Sequence, residues 1–136
     1  MLLVDTNVIL AAADASAAEY VTCARLLDAH AGDLAVTAPV AAESSWMIES
    51  RLGPRSEAAF VSALAAGELE VIDLLAADWR RCADLIERYH DLALGLLDAS
   101  VVAVAERLGV STIATLNRRD FAVVRPLHVA AFELVP

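Results

Sequence analysis

Residues 1–7, Met-Leu-Leu-Val-Asp-Thr-Asn, contain the pattern that decides the fold. The four apolar residues are typical of a short buried strand, which ends abruptly at Asp5. Thr6 and Asn7 are residue types that cap helices, so we predict a short Ala-rich helix from Asn7 to about Asp14. A buried strand followed at once by a helix indicates the start of a parallel βαβ unit.

The same alternation of strand and helix continues along the chain. Further strands are predicted at Leu34–Thr37, Leu69–Leu74, Ser111–Leu116 and Val129–Val135. Further helices are predicted at Ala17–Ala29, Pro39–Leu52, Ser56–Ala66, Ala76–Tyr89 and Leu94–Leu108, and residues 117–120 as a polar turn. These elements predict one domain over residues 1–136, a three-layer α/β/α sandwich with a mostly parallel central sheet.

The composition favours an aliphatic core and a cytoplasmic protein. Of the 136 residues 59% are hydrophobic but only 5% are aromatic, so Ala, Val, Leu and Ile must fill the interior. Cys23 and Cys82 lie far apart and form no C-x-x-C motif, which argues against a disulfide framework or a zinc site. No apolar run approaches the roughly 18–20 residues that span a bilayer, so no membrane partner is expected.

The charge of the chain excludes some chemistry and leaves one ambiguity. The formal net charge is −9, and all ten basic residues are arginines. Without lysine, neither P-loop phosphate binding nor the lysine-assisted aspartyl-phosphate chemistry of receivers is available. The excess of acid indicates either a solvated surface or carboxylates gathered around a divalent cation, and composition alone does not decide between them.

Asp98 lies where a charged residue is least expected. The apolar stripe of its predicted helix consists of Leu94, Leu97, Val101, Val102, Ala105 and Leu108, and Asp98 lies within it. Burying an unpaired carboxylate costs several kcal/mol or forces its protonation. Asp98 therefore needs a cation, a cluster of donors or a helix terminus; as a first-turn residue it could also simply serve the helix dipole.

Glu43 and Asp5 raise the same question. Glu43 shares a helix face with Val40 and Met47, although a Glu in the first turns after Pro39 also suits the helix dipole. Asp5 closes a strand, although it could simply be the N-cap of the next helix. Strand ends and the first turns of helices meet at the carboxyl edge of a parallel sheet, where ligands collect. A cluster of carboxylates there without His or Cys suits Mg²⁺ or Mn²⁺.

Four segments together resemble a known family. They are Met1-Leu-Leu-Val-Asp-Thr-Asn-Val8, the helical Glu43, Leu97-Asp-Ala-Ser100 and Ile113-Ala-Thr-Leu-Asn-Arg-Arg-Asp-Phe121. The set is similar to PIN domains and, more narrowly, to the VapC-type toxins of toxin–antitoxin pairs, over essentially the whole chain. The resemblance implies that Asp5, Glu43 and Asp98 are the shared acidic residues. It also implies a homodimer that binds a small VapB-type antitoxin.

The expected activity is hydrolysis of RNA phosphodiester bonds with Mg²⁺, for which Mn²⁺ can substitute. Asp5 and Asp98 would hold the metal, with Glu43 either a further ligand or the residue that positions the attacking water. The expected contacts to substrate or to these carboxylates come from Thr6, Asn7, Thr115, Asn117 and Arg118. In this interpretation Arg118 and Arg119, and also Arg51 or Arg125, could contact the RNA backbone and place positive charge locally, against the net charge of the chain. A solvated polar turn is the alternative for these arginines.

The last motif departs from the family pattern at one position. Many relatives carry an Asp two residues after its Thr, where this sequence has Asn117, with Asp120 three residues further on. We expect Asn117 to line the pocket and Asp120 to lie outside it. A catalytically weak PIN-like module that binds RNA or protein stays open as an alternative. A receiver or haloacid-dehalogenase-type domain is disfavoured because the D-x-D motif and the lysine are missing.

Overall fold

The computed structural model describes all 136 residues, which form five β-strands and seven α-helices. The strands are β1 Leu2–Val4, β2 Leu34–Thr37, β3 Glu70–Ile72, β4 Thr112–Ala114 and β5 Glu133–Val135. The helices are α1 Thr6–Ala13, α2 Tyr20–Ala29, α3 Ala38–Leu52, α4 Pro54–Ala65, α5 Ala76–Arg88, α6 Leu96–Leu108 and α7 Arg118–Val123. None of the helices is long and apolar enough to cross a membrane.

All five strands are parallel and lie in the order β3-β2-β1-β4-β5. The central strand β1 pairs on one side through Leu3 with Ala35 of β2 and on the other through Leu3 with Ile113 of β4. The fold is therefore α/β, and its sheet is entirely parallel where the sequence predicted a mostly parallel one.

The strand order places the helices on both faces of the sheet. From β1 the chain moves outward to β2 and β3 and then returns across the sheet to β4 and β5. Because parallel crossovers are right-handed, this reversal puts α1–α4 on one face and α5–α7 on the other. The reversal also makes the gap between the ends of β1 and β4 a topological switch point, where ligands bind in open α/β sheets.

The core is aliphatic, as the composition predicts. Leu3, Val36 and Ile113 in the three central strands are fully buried, and helix α6 contributes an unbroken buried run over residues 99–105. Phe121 and Phe132 add one edge-to-face aromatic pair, with ring centroids 6.5 Å apart. Helices pack on both faces of the sheet through these apolar side chains. This packing determines where the ends of the helices lie along the carboxyl edge of the sheet.

Several predicted elements were wrong in extent or kind. Helix α2 begins at Tyr20 rather than Ala17, and strands β3 and β4 are each three residues long rather than the predicted six. Residues 118–123 form helix α7 rather than part of a polar turn, because Phe121 is buried and anchors one side of a helix whose arginines are exposed. Strand β5 begins at Glu133 rather than Val129, because it pairs only with the three residues of β4. Helix α6 begins at Leu96 rather than Leu94, after a 3₁₀ turn and a left-handed Ala93 with φ 55°.

Candidate active site

Asp5 lies at the carboxyl end of β1 and is the N-cap of α1. Its Oδ1 atom accepts a hydrogen bond from the Thr6 backbone N–H at 2.8 Å. Its Oδ2 atom accepts one from Asn7 Nδ2 and one from Thr115 Oγ1, both at 2.8 Å. The side chain is 4% exposed, so its charge depends on these donors rather than on water. Asp5 can therefore cap helix α1 and also present its carboxylate to the site.

Burial and hydrogen bonding act on Asp5 in opposite directions. Desolvation raises the pKa of Asp5 above its ordinary value and outweighs the hydrogen bonds from Thr115, Thr6 and Asn7, which lower it. The charge of Glu43 raises it further. The chain therefore holds this carboxylate at an energetic cost, which a nearby cation would relieve.

Asn7 and Thr115 join the ends of β1 and β4. Asn7 Oδ1 accepts from the Leu116 backbone N–H at 2.9 Å while its Nδ2 donates to Asp5. Thr115 is fully buried, donates to Asp5 and accepts from the Asn117 backbone N–H at 2.9 Å. These bonds span the switch point and fix the loop after β4 against the start of α1.

Glu43 reaches the site from helix α3. The helix begins at the end of β2, where Thr37 Oγ1 accepts from the Val40 backbone N–H at 3.4 Å and Pro39 lies in the first turn. One turn further on, Glu43 Oε2 accepts a hydrogen bond from Thr6 Oγ1 at 3.0 Å. The Thr6 hydroxyl thus connects the first residue of α1 to the acidic side chain of α3.

Asp98 lies in the first turn of α6 and receives no hydrogen bond from the protein. Burial, together with the charges of Asp5, Asp120 and Glu43 in that order of importance, raises its pKa from 3.8 to about 7. Helix α6 is fixed to the end of β2, where α3 begins. Ser100 Oγ in α6 donates to the Leu97 carbonyl at 2.7 Å and accepts from Thr37 Oγ1 at 2.8 Å. Asp98 is therefore a carboxylate with free lone pairs in a negative surrounding.

A cleft of about 430 Å³ opens over these residues. Six of the residues predicted from the sequence line it, namely Asp5, Thr6, Asn7, Glu43, Asp98 and Asn117. Thr115 lies behind Asp5, buried. Arg118 was predicted to contact substrate, but it does not line the cleft. Its guanidinium instead donates a hydrogen bond to the carbonyl of Pro136, which directly follows β5.

The two candidate residues of the last motif, Asn117 and Asp120, differ in whether they line the cleft. Asn117 lines the cleft, and its Nδ2 donates to Asp120 Oδ2 at 2.9 Å. Asp120 does not line the cleft, although its charge acts on Asp98. Asp120 therefore acts on the site from behind Asn117 rather than by facing the cleft.

Met47 and Leu10 also line the cleft and were not predicted from the sequence as site residues. Arg51 lines it too, and the sequence predicted Arg51 only as one of several arginines that could contact the RNA backbone. Glu43, Met47 and Arg51 recur at steps of four, a spacing that puts them on one face of α3. This spacing is visible in the sequence, but the pattern of apolar residues in α3 predicts that Arg51 lies on the solvent side of the helix. Only the position of α1 opposite α3 shows that this face borders a cleft.

The donors at the carboxyl edge fit a hard divalent cation. They are all oxygen atoms, and those of Asp98 are free of protein hydrogen bonds. No three His, Cys, Asp or Glu side chains lie close enough together to ligate one ion. Mg²⁺ usually keeps several waters and takes only one or two protein carboxylates, so a site built on Asp5 and Asp98 is consistent with it.

Taken together, these features define a parallel α/β protein with an acidic, oxygen-lined cleft at the switch point of its sheet. The chain belongs to the PIN-domain family, whose sequence profile matches residues 2–126. It is 32% identical to Ribonuclease VapC26 of Mycobacterium tuberculosis over 135 residues, which cover 99% of this chain and 100% of that protein. Ribonucleases of this family generally depend on a divalent metal ion.

Solved structures share the fold at low sequence identity. VapC20 of Mycobacterium tuberculosis, described as a toxin that cleaves the sarcin-ricin loop, superposes with a TM-score of 0.84 at 20% identity, over 96% of this chain and 99% of that one. VapBC2 of Rickettsia felis, solved bound to a DNA fragment from its promoter, superposes with a TM-score of 0.69 at 18% identity, over 98% of this chain and 96% of that one. These likenesses confirm the predicted fold class.

Proposed function

We propose that the protein is an endoribonuclease that hydrolyses RNA phosphodiester bonds, and that it is the toxin of a VapBC-type toxin–antitoxin pair. The observation that carries this proposal is the Asp98 carboxylate, which lies half-buried beside Asp5 in an oxygen-lined cleft without any hydrogen-bond donor. A protein gains nothing in stability from such an arrangement, whereas a metal-dependent hydrolase needs it. Membership of the PIN-domain family and the ribonuclease relative agree with this function.

Asp5 and Asp98 are the residues proposed to hold the ion, which is Mg²⁺ with Mn²⁺ able to substitute. Asp5 Oδ1 accepts only one hydrogen bond, so it keeps a lone pair for an ion, and Asp98 keeps all of its lone pairs. Bound there, the ion supplies charge neutralisation at the phosphate and lowers the pKa of water.

The remaining residues of the site orient the Asp5 carboxylate, the attacking water and the substrate. Asn7 and Thr115 fix Asp5 Oδ2, so its carboxylate keeps one rotamer when substrate arrives. Glu43 is engaged by Thr6, which suits a residue that positions the attacking water and leaves the metal to Asp5 and Asp98. Asn117 offers the substrate a neutral amide at the rim of the cleft.

The proposed partners are an RNA substrate, a VapB-type antitoxin and a second copy of the chain. Two of the structures that share the fold are of a VapBC complex and of a toxin–antitoxin complex from Klebsiella pneumoniae. An acidic cleft with uncompensated charge also suits a guanidinium from such a partner. Both cysteines are free and buried, in keeping with action in the reducing cytoplasm, where RNA is found.

The decisive experiment is cleavage of defined RNA oligonucleotides by the purified protein with Mg²⁺, with Mn²⁺ and with EDTA. Cleavage with either ion, none with EDTA and none by a folded Asp98→Asn variant is the expected result. Growth arrest on induction, relieved by the cognate antitoxin, tests the toxin role separately. RNA binding without metal-dependent cleavage by the wild-type chain would favour the non-catalytic PIN-like module instead.

A further inference from the structure

The cleft extends well beyond the acidic residues, along helix α3. Glu43, Met47 and Arg51 lie on one face of α3, so Arg51 is about 12 Å from Glu43 along the helix axis, at 1.5 Å per residue. All three line the same cleft of about 430 Å³. This volume lies in the range of sites that take small ligands, about 300–1,000 Å³.

The chemistry of the walls changes along this length. The end at the sheet edge is acidic, with Asp5, Glu43 and Asp98. The middle is apolar, with Leu10 from α1 and Met47 from α3. The far end carries Arg51, the one basic residue among those that line the cleft, and it forms no ion pair within 4 Å. Two further acidic residues, Asp14 and Glu19, line the cleft from the chain between α1 and α2.

This order of charges matches the order of groups in a nucleotide within a strand. A scissile phosphate belongs at the acidic end with its metal ion, a base can lie against apolar side chains, and the next phosphate needs a cation. A guanidinium is well suited to that phosphate because it can donate two parallel hydrogen bonds. We propose that the cleft between α1 and α3 is a nucleotide subsite, which binds the RNA residue next to the cleaved bond and holds its outer phosphate with Arg51.

The subsite rests on the proposed function and makes it more specific. It requires the base to be unpaired and unstacked, because the cleft is bounded on both sides by helices. The substrate must therefore be single-stranded at the cleavage point, as in a loop. A structural role for Arg51 would instead be to complement the dipole at the C-terminal turn of α3, which would show in stability and not in substrate binding.

Asp14 lines the same cleft as Arg51 and carries the opposite charge. Two hydrogen bonds from Ser16 lower the pKa of Asp14, and the Arg51 charge lowers it further. Asp14 also lines the cleft, so its negative charge repels an incoming phosphate. Neutralising Asp14 should therefore act on substrate binding in the direction opposite to neutralising Arg51.

The first test compares Arg51→Ala with Arg25→Ala, which removes the same charge from the exposed face of α2, outside the cleft. On a single-stranded RNA substrate, Arg51→Ala should raise KM about tenfold or more and leave kcat nearly unchanged, because one charged hydrogen-bonded contact is lost. Arg51→Lys should recover part of the loss, and Asp14→Asn should lower KM. Arg25→Ala should change KM no more than twofold, and melting curves should show all variants folded.

The second test locates the phosphate by chemical neutralisation. Oligonucleotides carry a single uncharged methylphosphonate at each position flanking the cleavage site in turn, and binding to the inactive Asp98→Asn protein is measured by fluorescence anisotropy. At one position the substitution should weaken binding about as much as Arg51→Ala does, and it should have no further effect in an Asp98→Asn, Arg51→Ala double variant. Arg51→Ala should also reduce the slope of log Kd against log salt by about 0.7.

The outcomes separate the two proposals. If the wild-type chain cleaves no RNA, the proposed function is wrong and the subsite falls with it. If the wild-type chain cleaves RNA while Arg51→Ala behaves like Arg25→Ala, or if every methylphosphonate weakens binding equally in both backgrounds, only the subsite is overturned.

Discussion

The Thr115 hydroxyl donates a 2.8 Å hydrogen bond to Asp5 Oδ2, although 110 positions separate the two residues in the chain. The bond crosses between the ends of β1 and β4, the two strands at the switch point of the sheet. It joins a residue of the last motif to the first aspartate, and it is the largest of the hydrogen-bond contributions that lower the pKa of Asp5. The acidic site is therefore built by the sheet topology as much as by its carboxylates.

Replacing Thr115 should weaken metal binding in a pH-dependent way. In Thr115→Val the hydroxyl proton is lost without a change in shape, so the pKa of Asp5 rises further and protons compete better with the cation. Mn²⁺ titration by calorimetry should show a larger loss of affinity at pH 6 than at pH 8. Thr112→Val, which removes an exposed hydrogen bond to Glu133, is the matched control and should bind Mn²⁺ like the wild type. An equal loss at both pH values would contradict this role of the hydroxyl.

Asp98→Asn should abolish RNA cleavage while the fold is retained. The amide keeps the shape of the side chain but removes a charge that the metal site requires. It also relieves repulsion from Asp5, so the metal-free variant should melt at a higher temperature than the metal-free wild type at pH 8. Circular dichroism and an RNA cleavage assay measure the two effects. A folded variant with full activity would remove Asp98 from the site.

The stability of the metal-free protein should depend on pH through Asp98. Its pKa is raised from 3.8 to about 7, so the folded state binds more protons than the unfolded state between these values. The stabilisation is present in full below about pH 4 and is lost as the pH rises through about 7. In EDTA, the difference in melting temperature between Asp98→Asn and wild type should grow from pH 4 to pH 8. A constant difference would show that Asp98 titrates normally.

A divalent cation should stabilise the folded protein by mass action. At a hundredfold excess over the dissociation constant the gain is about 2.7 kcal/mol, which corresponds to several degrees in melting temperature. Mg²⁺ and Mn²⁺ should both produce it, EDTA should reverse it, and Asp98→Asn should remove most of it. A melting temperature indifferent to Mn²⁺ in the wild type would count against a preformed site.

Asn117 and Asp120 should differ sharply on substitution. In Asn117→Asp a carboxylate replaces the amide that now donates to Asp120 at 2.9 Å, so two negative charges face each other. The metal-free protein should melt lower, whereas Mn²⁺ should stabilise it more and a second ion should bind more tightly.

Asp120→Ala serves as the partner experiment and should leave activity nearly unchanged, because Asp120 does not line the cleft. Calorimetric Mn²⁺ stoichiometry and cleavage rates measure both variants. If neither substitution changes activity or stoichiometry, neither residue belongs to the site.

Much of the fold could be predicted from local patterns. The run from Leu2 to Val4, the cap residues after it and the glycines that end helices α3 and α6 are local signals, and each of them predicted an element correctly. The carboxylates were predictable for a related reason: Asp98 interrupts an apolar stripe, and an unfavourable placement is visible without coordinates. Helix α7 was not predicted because only one of its six residues, Phe121, is buried. One apolar residue gives no helical periodicity, and whether it is buried depends on how the rest of the core packs.

The sequence by itself determined the alternation of strands and helices and the residue types at their ends, because these follow from side-chain pattern and backbone preference over a few residues. Only the tertiary structure decided which of those ends meet. The order of the strands brings Thr115 to Asp5, and the Thr37–Ser100 hydrogen bond joins α6 to the end of β2, where α3 begins. The packing of α1 beside α3 places the exposed Arg51 at one end of the cleft. Such contacts join residues tens of positions apart, and their energies depend on burial in a core that no local stretch of sequence specifies.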